Sequence, residues 1–406
     1  MRCTFSVILL LLVISSKGQT GNTYLKDLTS LRNILEKTPS YKDQVKGEAL
    51  IAYDAMFNRL KADSSHSLSD YKYFYNLAQL FFPIQDNHLG FYQVDKIPKE
   101  AEYPKFNGNL DSLKKVLSKK NIDSVEGVYY YGSSYKIGMF KSEQKEYIGV
   151  VLDSKTSVWK NGQIAVHLYE TIPHYFKAIY ADPKYKNLQL YQIEKYSHHS
   201  LVNSFFYSSP TEGIYTKLTG KPDFVNLPVG IYDFQLSTLS PDVQYLRIKS
   251  FSAMDVDMKK SQAFYDSIKS SLTAPNLILD LRNNEGGAFK VSNKFFKLIE
   301  EYVKTGKVYV LVNNGTMSQG EIFTLQLKKL NNVKVLGQTT RGTLTYGSNY
   351  GKRERVTSQV FEVYVTDMFG DKRLIPYENY GVNPDIILTD KKDWLQQTFE
   401  IIRKIE

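Results

Sequence analysis

Apolar and polar residues follow three successive patterns along the chain. Over 19–100, apolar residues recur at helical spacing, which predicts a small helical cap. Over 101–225, short β-favouring runs alternate with turn-forming residues, a pattern typical of a meander, sandwich or small barrel. Over 226–406, strands alternate with helices, which predicts an α/β layer built from crossover units. The predicted fold is therefore α/β and β multidomain: an α/β core with an N-terminal helical cap and an inserted β-rich barrel or sandwich.

The α/β segment contains the clearest individual elements. Residues 276–281 form a continuous apolar run of the kind that a parallel sheet buries on both faces. In the β-rich segment, the runs at 125–130, 136–140, 147–152 and 163–168 favour strands. The elements predicted after residue 226 are strands 243–248, 276–281, 308–312, 333–336 and 386–388 and helices 257–271, 288–305 and 320–330.

Residues 1–18 have the pattern of a signal peptide. Arg2 gives a positive start, the apolar run from Phe5 to Ile14 is too short to span a membrane, and Ser16 and Gly18 are small residues suited to a cleavage site. The alternative is a buried N-terminal helix. A cut after Gly18 predicts an exported protein, periplasmic or extracellular, with no membrane span in the mature chain.

Composition and charge exclude several classes of function. The single cysteine, Cys3, lies in the signal segment, so the mature chain has no disulfide, zinc–thiolate site or cysteine nucleophile. The net charge is +10, but the lysines are scattered and paired with acids, which favours a solvated surface over a nucleic-acid interface. His198 and His199 have no carboxylate or third histidine at a useful spacing, which argues against a metal site.

Ser318 is the first candidate for chemistry. It follows the predicted strand 308–312 and precedes a predicted helix, so it lies on a tight turn. A serine there exposes its hydroxyl beside the free N–H groups of a helix N-terminus, as a nucleophile and its oxyanion require. The alternative is a helix N-cap, with Glu321 completing a capping box.

Three further segments carry polar residues in suggestive positions. Asp280–Gly287 follows the buried strand and ends in two glycines, Glu378 precedes a Gly-Val-Asn-Pro-Asp turn, and His88 follows a helix stop. A serine hydrolase needs a hydroxyl, a base near pH 7 and an orienting acid. Spacing alone does not show that these residues meet. Each has a structural alternative: a β-to-α turn for Asp280–Gly287, a surface carboxylate for Glu378, and a hydrogen-bonded polar residue without a catalytic role for His88.

Together these segments resemble the tail-specific (C-terminal-processing) serine peptidase family, over roughly 235–390. The resemblance implies a peptidase fold for the core, peptide or protein substrates, and no cofactor. The motifs that carry it are Asp280–Gly287, Ser318–Ile322, Gly337–Gly342 and Gly381–Asp385.

Two branches of that family differ in their base. In the Ser-Lys branch the lysine falls where this chain has Thr343, which cannot act as a base, so only another lysine such as Lys352 remains for that mechanism. A second branch resembles the tricorn protease core and uses Ser, His and Glu. Asp86-Asn87-His88 and Glu378 are similar to its motifs.

The resemblance to the second branch implies roles for individual residues. Ser318 is the expected nucleophile, His88 the base and Glu378 the orienting acid, with Asn87 in support. The expected oxyanion hole consists of the backbone N–H groups of Gly287 and Gln319, with Gly286 shaping the loop.

Two other functions are compatible with the sequence. The chain could be an inactive peptide-binding protein that retains the peptidase fold, which Asn87 and Thr343 favour, or a β-barrel ligand-binding protein built around 120–210. The family often carries a PDZ domain, but no convincing carboxylate-binding loop occurs between His88 and residue 235. Recognition of a free C-terminus is therefore not expected from the resemblance.

Overall fold

The computed structural model divides the chain into two compact units, which are described separately. The signal-peptide prediction for 1–18 lies outside the described residues. Among the residues that the structure describes, no helix combines the length and apolar character needed to cross a bilayer. The described residues are 23–63, 68, 71–94, 103–133, 135–205, 213–220, 222–228, 230–349 and 351–405. The units are Met1–Gly220 with Tyr346–Gly370, and Lys221–Thr345 with Asp371–Glu406.

The first unit begins with helices, as the apolar spacing predicts. Thr38 caps the second helix through its side chain, which accepts from the Tyr41 N–H at 3.3 Å, and Pro39 takes the first helical position, where no N–H is needed. The helices are α1 (23–35), α2 (Pro39–Gln44), α3 (Glu48–Ala62), α4 (Tyr71–Ala78), a 3₁₀ turn (Gln79–Phe81) and α5 (Leu110–Leu117).

The strands of the first unit form a closed antiparallel barrel with an extension. Strands β2 to β7 pair in sequence, β7 also pairs with β8, and β9 joins β8 to β2, which closes the ring. The extension runs from β7 through β1 and β16 to β15. The strands are β1 (Gly90–Gln93), β2 (Gly127–Tyr131), β3 (Tyr135–Glu143), β4 (Glu146–Ser154), β5 (Ile164–Ile172), β6 (Tyr175–Ala181), β7 (Leu188–Ser197), β8 (Ser200–Leu201), β9 (Tyr215–Thr216), β15 (Arg353–Arg355) and β16 (Phe361–Tyr364).

Tyrosines fill much of the first unit's core. Tyr180 is fully buried and donates its hydroxyl to Glu194 Oε2 at 2.8 Å, and the hydroxyls of Tyr135 and Tyr215 bond to each other. Burial raises the pKa of Tyr180 and Tyr215 well above the ordinary range, so both stay neutral. Glu194 also accepts the N–H of Asn203 at 2.8 Å, so its buried charge is hydrogen-bonded.

The second unit is a sheet with helices on both faces. Its strand order is β10-β11-β12-β13-β14-β17, parallel from β11 onward, with β10 antiparallel to β11. The strands are β10 (Phe234–Ser240), β11 (Val243–Ile248), β12 (Asn276–Asp280), β13 (Lys307–Val312), β14 (Val333–Gly337) and β17 (Ile386–Ile387). The helices are α6 (Asp255–Ile268), α7 (Phe289–Tyr302), α8 (Gln319–Leu327), a 3₁₀ turn (Lys372–Tyr377) and α9 (Trp394–Ile405).

Alternate residues of the central strands pack into two separate apolar clusters. Leu277 and Leu279 join a cluster with Phe295 of α7, whereas Ile278 joins one with Trp394 of α9. Both faces of the sheet are therefore buried, which confirms the prediction drawn from the strand at 276–281.

The predicted fold class is confirmed, and the structure selects a barrel rather than a sandwich for the β-rich part. Strands β6 and β7 were not predicted individually, because most of their residues are buried and the apolar–polar alternation is weak. Residues 346–370 belong to the first unit, where they supply β15 and β16, although they follow the α/β elements in sequence.

A buried ion pair terminates the central strand of the second unit. Asp280 is fully buried and accepts bonds from Arg282 Nη2 at 2.6 Å, from Arg282 N–H at 2.9 Å and from the Tyr245 hydroxyl at 2.9 Å. The Arg282 guanidinium also lies 5.5 Å from the Trp394 ring centre. This cluster fixes the first residues of the loop that continues to Gly287.

We expect Asp280→Ala to lower the free energy of unfolding by about 3–5 kcal/mol, because it leaves the Arg282 charge buried without its partner. Thermal or urea unfolding measures the change. Asp371→Ala is the control, since its pair with Arg373 is exposed and should matter little. Equal stability of the two variants would contradict the structural role of Asp280.

Candidate active site

Ser318 lies on a strained turn between β13 and α8. Its φ is 54°, a left-handed conformation that is uncommon for a residue other than glycine and is concentrated at functional sites. Ser318 is half-buried, so its side chain is not sealed in the core. The turn is tied to the preceding loop, because the Met317 N–H donates to Asn284 O at 2.9 Å.

The Glu321 carboxylate holds this turn in place. Its Oε2 accepts the N–H of Ser318 at 3.1 Å and of Thr343 at 2.8 Å. Its Oε1 accepts the Gly342 N–H at 2.6 Å and the Thr340 hydroxyl at 2.5 Å. Glu321 is fully buried and thus anchors both the start of α8 and the 340–343 loop. Ser318 is also the N-cap residue of α8, so the capping and nucleophile interpretations are compatible.

The glycine loop packs directly against the Ser318 turn. A Cβ on Gly286, whose φ is 80°, would lie 2.7 Å from Ser318 Cβ and 2.9 Å from Gln319 N. A Cβ on Gly287 would lie 2.0 Å from Phe251 O. Both positions therefore require glycine. The Gly286 N–H donates to Asn284 Oδ1 at 2.9 Å, so this N–H is committed within the loop.

Two backbone N–H groups are available at this turn. Among the residues that the structure describes, the N–H groups of Gly287 and Gln319 meet no acceptor. Gly287 is exposed, and Gln319 is the first residue of α8, where the helix dipole favours negative charge. These are donors of the type that stabilise an oxyanion, whereas Gly286 shapes the loop.

Glu378 lies at the end of the 3₁₀ turn Lys372–Tyr377 and is fully buried. Its Oε2 accepts the N–H of Leu344 at 3.0 Å and of Thr345 at 2.7 Å. Because Glu321 binds the same loop two residues earlier, two buried carboxylates together fix its conformation. The second unit thus brings the Ser318 turn, the glycine loop and the Glu378 loop into one connected network.

His88 and Asn87 belong to the first unit, between the 3₁₀ turn and β1, and both are half-buried. The adjoining Asp86 is fully buried: its Oδ1 accepts the His88 N–H at 3.2 Å and its Oδ2 the Thr366 hydroxyl at 2.6 Å. Gln192 Nε2 donates to Asp86 O at 2.9 Å. Asp86 therefore positions the His88 backbone, a role that the sequence motif contains but that sequence reasoning did not assign.

Two residues bear on the lysine-based alternative. Thr343 lies against the Ser318 turn, since its carbonyl accepts the Ser318 N–H at 2.8 Å. Within the described part of the chain its buried hydroxyl has no hydrogen-bond partner. Lys352 belongs to the first unit and is paired there with Glu354 at 2.5 Å, with 62% of its side chain exposed.

The pair His198–His199 forms the turn between β7 and β8, with φ values of 48° and 61°. His199 Nδ1 lies 3.5 Å from Asp123 Oδ1, a surface contact. In the described ranges of the chain, no group of three or more His, Cys, Asp or Glu side chains is arranged to hold a metal ion.

Comparison with protein families identifies the α/β segment. A family model described as peptidase family S41 matches residues 242–300 and 290–388. The segment 242–388 is therefore similar to peptidase family S41. The match contains the Ser318 turn, the glycine loop and Glu378. This match indicates a serine-type peptidase. No curated protein matches it.

Solved structures of other peptidases are similar over most of the chain. Mature CPAF is 12% identical, with 95% of this chain and 97% of that chain covered and a TM-score of 0.44. A putative peptidase from Parabacteroides merdae is 11% identical, with coverage of 94% and 96% and a TM-score of 0.41. The photosystem II D1 C-terminal processing protease is 14% identical, with coverage of 92% and 95% and a TM-score of 0.36. Because these identities and TM-scores are low, the similarity to family S41 rests on the match of residues 242–388 to the family model.

Burial raises the pKa of Asp86 from 3.8 to about 6, against the opposing hydrogen bonds from Thr366 and the backbone. Because this pKa is higher in the folded state than in the unfolded state, the protonated carboxyl stabilises the fold. This stabilisation is complete below the unfolded-state pKa and is lost as the pH rises through the folded-state pKa. We therefore expect the Tm of the native protein, relative to that of Asp86→Asn, to decrease as the pH rises from about 4 to about 7. The corresponding loss in the free energy of unfolding is at most about 3 kcal/mol.

Thermal unfolding across that pH range measures this difference. The exposed carboxylate of Asp111, 92% of whose side chain is accessible, provides the control variant Asp111→Asn, whose Tm difference should not vary with pH. A constant Tm difference for Asp86→Asn would show that Asp86 does not titrate as described.

Proposed function

We propose that this S41 peptidase cleaves peptide bonds with Ser318 as nucleophile, His88 as general base and Glu378 as the acid that orients the imidazole. The observation that carries the proposal is the half-buried Ser318 on its strained turn, beside the N–H groups of Gly287 and Gln319 that meet no acceptor in the described residues. The chemistry needs a reachable hydroxyl and preorganised donors, and this turn supplies both.

In the first half of the proposed reaction, Ser318 Oγ attacks the scissile carbonyl carbon while its proton passes to the His88 ring. The carbonyl oxygen becomes an oxyanion and accepts the N–H groups of Gly287 and Gln319. The C–N bond then breaks, and the His88 imidazolium gives its proton to the leaving amine. An acyl-enzyme on Ser318 remains.

In the second half, water attacks the acyl carbon and gives a proton to His88. Collapse of the second tetrahedral intermediate releases the carboxylic acid product, and the proton on His88 returns to Ser318 Oγ. Glu378 stabilises the imidazolium in both halves, and Asn87 supports the orientation of the neighbouring histidine. The two N–H groups on Glu378 Oε2 support this role, because they hold the carboxylate in one orientation.

We expect Ser318→Ala to fold normally and to lose at least about 10⁴-fold in kcat/KM, and His88→Ala to be nearly as inactive, since such residues act as a unit. A fluorophosphonate probe should label Ser318 covalently in the native protein and not in Ser318→Ala. Peptide hydrolysis and mass spectrometry of the labelled peptide provide the measurements.

Two controls sharpen this test. Ser267→Ala, which removes an exposed hydroxyl of α6, should leave labelling and turnover unchanged. Lys352→Ala should also be active; its inactivity alongside an active His88→Ala would replace the histidine mechanism by a Ser-Lys dyad. Peptide binding with no labelling of Ser318 would favour an inactive peptide-binding protein.

We also propose that the protein is exported to the periplasm or the medium, on the basis of the signal-peptide pattern over 1–18. N-terminal sequencing of protein recovered from those compartments should begin at Gln19. Recovery of the exported protein with Met1 still attached would contradict cleavage at this site.

A further inference from the structure

Three large apolar side chains are exposed at one edge of the second unit. Met254 is 69% exposed, Val256 64% and Phe289 53%. Met254 is the N-cap of α6, Val256 is the second residue of that helix, and Phe289 is the first residue of α7. Side chains of this size are usually buried, and a group of exposed ones marks a binding surface. We call these three residues the apolar rim.

The backbone connects the apolar rim to the Ser318 turn. The Phe251 N–H donates to Gly286 O at 2.7 Å, and the Ala288 N–H donates to Phe251 O at 2.8 Å. The segment after β11 therefore runs beside the glycine loop before both segments turn into helices. Gly286 packs on Ser318, and Phe289 of the rim follows Gly286 closely in the chain, so the glycine loop connects the rim to the proposed nucleophile.

The topology of the sheet also places the rim at the carboxyl edge of the parallel strands. Strands β11, β12 and β13 are adjacent and parallel, so the N-termini of α6, α7 and α8 follow the same carboxyl edge. In open α/β sheets, ligands bind outside this edge. Ser318 begins the third of these helices, and the rim residues begin the first two.

The rim is not needed to hold the unit together. Helices α6 and α7 contribute other residues, such as Ile268, Phe295 and Ile299, to the apolar cluster beneath the sheet. Among the described residues that form that cluster, none belongs to the rim. Polar substitutions on the rim are therefore expected to leave the fold intact.

We propose that Met254, Val256 and Phe289 form an apolar subsite that binds a large apolar side chain of the peptide substrate, beside the bond that Ser318 attacks. This inference rests on the proposed function and specifies its substrate class: peptides with an aliphatic or aromatic residue next to the scissile bond. Asp255 and Glu285 are exposed acids at the same edge, so a neighbouring acidic substrate residue is disfavoured.

The test uses two fluorogenic decapeptides of Gly and Ser that differ only in a central Leu-Leu or Asn-Asn pair. We expect the native protein to cleave the Leu-Leu peptide with a kcat/KM at least about tenfold higher, the discrimination that an apolar pocket supplies. The double variant Met254→Ser/Phe289→Ser should lose this preference, because its kcat/KM for the Leu-Leu peptide falls toward that for the Asn-Asn peptide. Ile387→Ser removes an equally exposed apolar side chain from β17 and should keep the preference.

A double variant that retains the native ratio, or a native protein that cleaves both peptides equally, would overturn the subsite. If the native protein cleaves neither peptide and the fluorophosphonate probe does not label Ser318, the proposed function fails instead. Fluorescence anisotropy with the Ser318→Ala protein then decides the subsite separately. Tighter binding of the Leu-Leu peptide that Met254→Ser/Phe289→Ser abolishes supports it, and equal binding of both peptides refutes it.

Discussion

The second unit depends on the buried carboxylate of Glu321. This group accepts the N–H of Ser318 and of two residues in the 340–343 loop, so it satisfies buried backbone donors of that loop and ties it to the start of α8. A buried donor without a hydrogen bond lowers the stability of the fold, so the carboxylate constrains both the Ser318 turn and the 340–343 loop. The left-handed conformation of Ser318 persists because the surrounding network determines it.

A chain of constraints leads from the sheet to the Ser318 turn. Burial of both faces of the central strands fixes the sheet, and the Asp280–Arg282 pair fixes the loop that leaves β12. That loop then presents Gly286 and Gly287 at distances from Ser318 and Phe251 where no side chain fits. The donors at the turn are thus placed by rigid elements, as electrostatic preorganisation requires.

Much of this unit was predictable from the sequence because its signals are local. The strand at 276–281 and the turn at Ser318 are each indicated by the residue pattern of a short stretch of sequence. The closure of the barrel was not predictable, since it depends on the two-residue strands β8 and β9, which carry no periodic signal. The contacts of Asp86 and Glu378 were missed for a related reason: each carboxylate binds groups far from it in sequence, such as Thr366 and Thr345.

The way the turn is held has an evolutionary consequence. The backbone of residue 318 is fixed by Glu321 and by the Thr343 carbonyl, and these bonds use its N–H rather than its hydroxyl. A lineage that replaced this serine by glycine would keep the turn and even relieve its strain. On the proposed mechanism, this single substitution separates a peptidase from a stable non-enzymatic paralogue, and such pseudoenzymes should arise readily on this scaffold.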